Sequence, residues 1–183
     1  AMVLPEIPKT MVIVGSGAIG VEFAYFYNSM GTKVTIVEFL PRIVPVEDED
    51  ISKELEKSYK KNGITIMTSS EVTAVDTSGN GVKASVKSAT GETVLEADVL
   101  LSAVGVTANI EGIGLETLGI KIDKGRVMVD KYGQTNVPGI YSIGDCSPGQ
   151  ALAHVASKEG IVCVEAIAYN ENKYHHQPEP IDY

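Results

Sequence analysis

Apolar residues in this chain gather in short runs separated by longer amphipathic stretches, and this alternation predicts the elements. Residues 11–14 (MVIV) and 34–37 (VTIV) lack the strict in-out alternation of a half-exposed strand, so each reads as a strand buried in a parallel sheet. Between them Ile19, Phe23, Tyr27 and Met30 recur at helical spacing until Gly31 offers a C-terminal stop. Ile51, Leu55 and Tyr59 sit four apart, with Lys60 and Lys61 in the last turn and Gly63 beyond, which predicts a helix over 50–62. Residues 64–67 then return as a third parallel strand, completing a β-α-β-α-β unit.

The pattern changes after this unit. Residues 71–76, 82–88 and 92–97 alternate, and they are separated by Ser78-Gly79-Asn80-Gly81 and by Thr90-Gly91, which predicts a three-stranded antiparallel meander. A fourth parallel strand is expected over 99–104, ending at Gly105. From residue 110 the periodicity weakens. Strand candidates remain at 126–129 and 140–143, and a long helix is expected over 151–168 with Leu152, Val155, Ile161, Val162 and Ile167 as its apolar positions. No sheet partner for 140–143 is evident, so pairing with another edge, by domain swapping or dimerisation, is expected. Residues 1–9, with two prolines, read as an extended linker, and 171–183 as a polar tether. Ala1-Met2 reads as a cloning remnant, which would make the rest of the chain an internal piece of a longer protein.

Chemistry enters at the first strand-to-helix turn. Gly15, Gly17 and Gly20 stand at G-x-G-x-x-G spacing between the first strand and the first helix. The first glycine permits the tight turn, the second lets backbone approach a pyrophosphate, and the third allows close helix packing. The helix N-terminus supplies N–H groups and a positive dipole end for the phosphates. Glu38 ends the second strand 18 residues after Gly20, near the roughly 20-residue spacing at which an acid binds an adenosine ribose. A carboxylate there accepts from both ribose hydroxyls and repels a 2′-phosphate, so NAD is expected rather than NADP. The ligand crevice of such a sheet lies at the carboxyl ends of its strands, which places Gly105 beside Gly15 and Glu38.

Composition narrows the partners. The chain has 183 residues, 44% hydrophobic, enough for one good core or a domain with an appendage. A formal charge of −9 disfavours nucleic acid and anionic membranes as partners. No apolar run approaches a membrane span and no signal-like segment opens the chain, so a soluble, cytoplasmic protein is expected. Cys146 and Cys163 are too few and too far apart for a redox pair, a disulfide framework or a zinc site, and read as free thiols in a reducing compartment. The acids at 47–50 read as a helix cap rather than a metal site, and His175-His176 as solvated, so no metal is expected.

Five stretches in order, VGSGAIGVE, TIVEFLPRIVP, the VGV around Gly105, TNVPGIYSIGD and LAHVASKEGIVCVEAI, resemble the pyridine nucleotide-disulfide oxidoreductases, and among them the dihydrolipoamide-oxidising branch. The resemblance implies a Rossmann-like α/β NAD-binding domain over 10–109 with its inserted meander. It further implies a partial second α/β segment over 110–170, the return of an FAD-binding domain. NAD contacts are then expected at Gly15, Ser16, Gly17, Ala18, Ile19, Gly20, Val21, Glu22, Glu38, Val72 and Gly105. Asp145 matches the acid that holds the FAD ribityl chain, and Ala151, Leu152, Ala153 and His154 match the segment beside the flavin ring. By its residues alone Asp145 is equally a loop acid, and His154 a structural histidine. Val106-Thr107-Ala108-Asn109 departs from the family, which has a polar residue after the Gly105 equivalent.

The resemblance places the family's redox-active cysteine pair, its catalytic His-Glu pair and the lysine partner of Glu22 outside this chain, so no catalytic residue is assigned here. The chain alone is expected to be an inactive fragment of an NAD-dependent dihydrolipoyl dehydrogenase. The intact enzyme is expected to be a homodimer carrying FAD and serving a 2-oxoacid dehydrogenase or glycine cleavage complex. Alternatives are an NADH oxidase or other disulfide reductase of the same family, or a freestanding NAD-binding module, which would need a self-sufficient tail after Ile110, folded against the NAD domain with Asp145 facing solvent.

Overall fold

The computed structural model describes residues 1–181, and residues 182 and 183, the end of the expected tether, lie outside it. The chain divides into two compact units, Ala1–Gly105 and Val106–Tyr183.

The first unit is built on a four-stranded parallel sheet. Its strands are β1 (Thr10–Val14), β2 (Lys33–Val37), β3 (Thr65–Met67) and β7 (Val99–Ser102), in the order β3-β2-β1-β7. Both faces of this sheet are covered, which explains the apolar runs. Met11, Ile13, Val34 and Ile36 point to one face, where Val21, Ala24, Tyr27 and Tyr59 of the two helices complete the core. Val12 and Val37 point to the other face, where Val86, with Val72 and Leu95, caps them from the antiparallel meander β4 (Ser70–Asp76), β5 (Val82–Ser88) and β6 (Gly91–Ala97).

Helix α1 (Ala18–Ser29) ends where the glycine signal predicted. Thr32 N–H reaches back to Tyr27 O at 3.0 Å and Gly31 N–H to Asn28 O at 3.0 Å, with Gly31 at φ +94°. Its buried face, however, is Gly20, Val21, Ala24 and Tyr27, and the expected Ile19 and Met30 are exposed. Small residues win this contact because they let the helix lie close on the sheet. A similar correction applies to α2 (Glu49–Lys61): Ser52 and Tyr59 are buried and Ile51 is exposed. Ser52 is accommodated because its hydroxyl donates to Ile43 O at 2.7 Å. The acids before α2 act as a cap, Asp48 accepting from Asp50 N–H at 2.9 Å.

The second unit is less regular. A two-stranded hairpin, β8 (Ile122–Asp123) with β9 (Arg126–Val127), replaces the single longer strand expected at 126–129. The expected strand at 140–143 does not form: within that stretch, among the described residues, Tyr141 alone makes a bridge, to Gln134. That segment instead packs Ile140 on a small core of Ile110, Ile120 and Val127, which removes the ground for expecting it to seek a foreign edge. Helix α3 (Ala153–Asn170) starts two residues later than its pattern suggests and buries Val162, Cys163 and Ala166, leaving Leu152 and Ile161 exposed.

Candidate functional site

All four parallel strands run in the same direction, so the loops leaving their carboxyl ends converge. They wall an open cleft of about 670 Å³, within the range typical of small-molecule sites. The β1–α1 turn contributes Gly15, Ser16 and Gly17, and the start of α1 contributes Ala18 and Ile19. Glu38 follows β2, Val72 comes from the meander, and Gly105 follows β7. Eight residues expected at one site thus meet at one cleft from four separate stretches of the sequence.

The three glycines divide the work. Gly15 has φ +94°, and a Cβ there would lie 2.5 Å from Ala103 O, so the turn is pressed against the end of the β7 segment. A Cβ on Gly20 would lie 2.1 Å from Gly15 O, because α1 rests on the turn. Gly17 differs: a Cβ there would meet nothing within 4 Å. Its bareness serves no contact within the protein and leaves backbone open to a ligand in the cleft.

The amino end of α1 is equally open. No side chain caps it and no acid lies in its first turn. Its first hydrogen bond runs from Val21 N–H to Gly17 O at 3.1 Å, so the preceding N–H groups lack intrahelical acceptors. Such an end attracts an anion.

Glu38 is 7% exposed and its carboxylate is held by three donors. Oε2 accepts from Ser16 N–H at 2.8 Å and from Ser16 Oγ–H at 2.6 Å, while Oε1 accepts from Leu40 N–H at 2.8 Å. Its backbone is fixed too, N–H to Met67 O at 2.8 Å and C=O from Ser70 N–H at 2.9 Å. Ser16 is fully buried, and its remaining carbonyl accepts from Val44 N–H at 2.9 Å. Sequence reasoning singled out Glu38 but missed this clamp. The hydroxyl of the G-S-G turn was its one visible sign, since the Leu40 and Val44 partners act through backbone alone.

Three further expected residues do not wall the cleft. Gly20 and Val21 are buried behind the turn, and Glu22 lies on an exposed face of α1. Burial, and secondarily the Glu22 charge, pushes the Tyr59 phenol above its ordinary range. The Tyr59 hydroxyl donates to Val21 O at 2.8 Å, tying α2 to α1.

In the second unit Asp145 is exposed within a 3-10 turn, Gly144–Cys146. Gly144, at φ +71°, donates its N–H to Glu159 Oε2 at 2.5 Å, which anchors the turn to α3. Ala151, Leu152, Ala153 and His154 are likewise exposed at the start of α3. A cleft of about 410 Å³ in this unit is walled by Asp130, Tyr132, Ser142 and Pro148 rather than by these residues. Both cysteines are free. Cys146 is half-buried, and the Cys163 thiol is pushed up by burial and, less, by the nearby Asp130 charge.

Comparison with known proteins extends this picture. Residues 1–160 match the family described as pyridine nucleotide-disulphide oxidoreductase. A dihydrolipoyl dehydrogenase of Rhizobium etli is 50% identical over 163 residues, covering 88% of this chain and 34% of that protein. The chain thus spans about a third of the length of the curated relatives it matches. The crystal structure of LpdA from Mycobacterium tuberculosis superposes with a TM-score of 0.83 at 30% identity, over 98% of this chain and 37% of that one. The Cu(II) complex of RclA, a HOCl-induced flavoprotein disulfide reductase of Escherichia coli, superposes with a TM-score of 0.82 at 28% identity, over 90% of this chain and 37% of that one.

Proposed function

The chain belongs to the pyridine nucleotide-disulphide oxidoreductase family, and from that premise we propose that it is the NAD-binding part of a flavoprotein that oxidises dihydrolipoamide. Residues 10–109 form the NAD domain, 110–170 the returning segment of an FAD domain, with 1–9 a linker and 171–183 a tail. The observation that carries the reading is the single cleft joining the glycine turn, Glu38, Val72 and Gly105.

The residues present fit a dinucleotide. Gly17 leaves the room that a Cβ would occupy, and the uncapped α1 end takes the pyrophosphate. Glu38 offers its carboxylate to the adenosine ribose and disfavours a 2′-phosphate. Val72 and Ile19 flank the cleft with apolar surface, and Gly105 lets the chain after β7 pass close to the nicotinamide half. NAD when bound supplies hydride acceptance. The role of this chain is to position it, with Glu22 near the nicotinamide end.

Asp145 and Ala151–His154 contact the flavin in the intact protein, where FAD is the second cofactor. That protein is a homodimer, works with the lipoyl-carrying components of a 2-oxoacid dehydrogenase or glycine cleavage complex, and is cytoplasmic. Two free thiols support a reducing compartment, and no helix among the described residues is long and apolar enough to cross a membrane.

Calorimetric titration of the chain with NADH and, separately, NADPH tests the reading. NADH is the preferred ligand, and Glu38→Ala weakens it about tenfold or more, the scale of one hydrogen bond to a charged group. Binding of neither nucleotide overturns the proposal. The likeness to RclA favours a second reading, a disulfide reductase with another substrate. A lipoamide-coupled assay on the full-length protein separates the two.

A further inference from the structure

We propose that Ser16 is a positioning residue that sets cofactor choice through Glu38, holding the carboxylate as a fixed, singly available acceptor. The inference rests on the NAD reading and goes further, because the Ser16 hydroxyl acts through Glu38 rather than on the nucleotide.

A carboxylate offers about four acceptor positions. Ser16 N–H and Oγ–H occupy both on Oε2, at 2.8 and 2.6 Å, and Leu40 N–H occupies one on Oε1 at 2.8 Å. One position remains, on Oε1, so Glu38 takes a single ribose hydroxyl rather than two. Ser16 is itself fully buried. Its hydroxyl is spent on Glu38 rather than turned to the cleft, and its carbonyl is taken by Val44 N–H at 2.9 Å. One residue therefore joins the glycine turn to the acid and to the loop that follows it.

Discrimination follows from this fixity. A Glu side chain has three rotatable bonds, and a loosely held one rotates away from an incoming 2′-phosphate. Held on both oxygens, the carboxylate stays, and its charge meets the phosphate at close range. Removing the Ser16 hydroxyl frees one anchor, so NADH loses a preorganised acceptor while NADPH escapes part of the repulsion. The two affinities move in opposite directions.

The test measures NADH and NADPH dissociation constants for the chain and for Ser16→Ala, Glu38→Ala and the double variant, with thermal melts to check folding. Ser16→Ala is expected to weaken NADH severalfold and to strengthen NADPH, lowering the preference about tenfold. In the Glu38→Ala background the same change is expected to do nothing, since Ser16 has lost the group through which it acts. Equal weakening of both nucleotides, an unchanged ratio, or a full Ser16→Ala effect without Glu38 each overturns the proposal. If Ser16→Ala does not fold, Ser16→Thr, which keeps the hydroxyl, must retain the preference, and its loss in a folded Thr variant overturns the proposal as well. Failure of the unaltered chain to bind either nucleotide overturns the NAD reading itself and this inference with it.

Discussion

At the scale of single residues, Gly17 in the first turn and Gly20 in the helix behind it have opposite reasons for being bare. Gly20 is bare because Gly15 O occupies the space of its Cβ, at 2.1 Å, whereas Gly17 is bare against open cleft. Gly20→Ala is therefore expected to lower stability by about 3 kcal/mol, the upper end for overpacking, visible as a reduced denaturation midpoint. Gly17→Ala is expected to leave the midpoint unchanged while weakening NADH at least tenfold in titration, because its methyl group lies where backbone must approach phosphate. The glycine spacing and Glu38 were legible in the sequence because few residue types satisfy those positions. The Ser16 clamp was not, since a serine between glycines carries no mark of which way its hydroxyl turns.

At the scale of elements, the strands and helices of the first unit were readable because each faces two different neighbours with one repeating pattern. What periodicity misjudged was the rotation of the helices. Ile19 and Ile51 look like core positions, yet Gly20 with Ala24, and Ser52, take the inner face. Close approach rewards small side chains, and a hydroxyl that donates to Ile43 O is no burden there. Ser52→Ala is accordingly expected to cost about 1–2 kcal/mol by leaving that carbonyl without its donor, while the apolar-to-polar change Ile51→Gln is expected to shift the melting temperature very little. Chemical denaturation of the two variants distinguishes an inner Ser52 from an inner Ile51. In the second unit the pattern at 140–143 misled because an apolar run fits equally a strand and a loop packed on a small core.

For the first unit taken whole, a polar tie joins the start of β1 to the residue before β7. Asp98 Oδ2 accepts from Lys9 N–H at 2.8 Å and Thr10 N–H at 2.9 Å, and Asp98 N–H donates to Thr10 Oγ1 at 2.9 Å. These bonds, the Thr10 N–H foremost, hold the Asp98 carboxyl below its usual range. A carboxyl lowered by folding contributes stability above its unfolded pKa, about 3.9, and loses it as the pH falls through the lower folded value. Melting temperatures recorded from pH 6 downward are expected to fall more steeply below about pH 4 in the unaltered chain than in Asp98→Asn. Parallel acid limbs would assign that loss to other carboxyls.

The strand order also carries a consequence in time. β1 sits between β2 and β7, and its pairing with β7 joins Met11 to Val99, with the whole meander synthesised in between. On a ribosome, β1 therefore waits with one apolar edge unpaired until residues 99–102 emerge. The nascent chain is most open to wrong pairing in that interval, and the meander, which folds from neighbouring strands alone, is the piece able to cover the sheet before its last strand arrives.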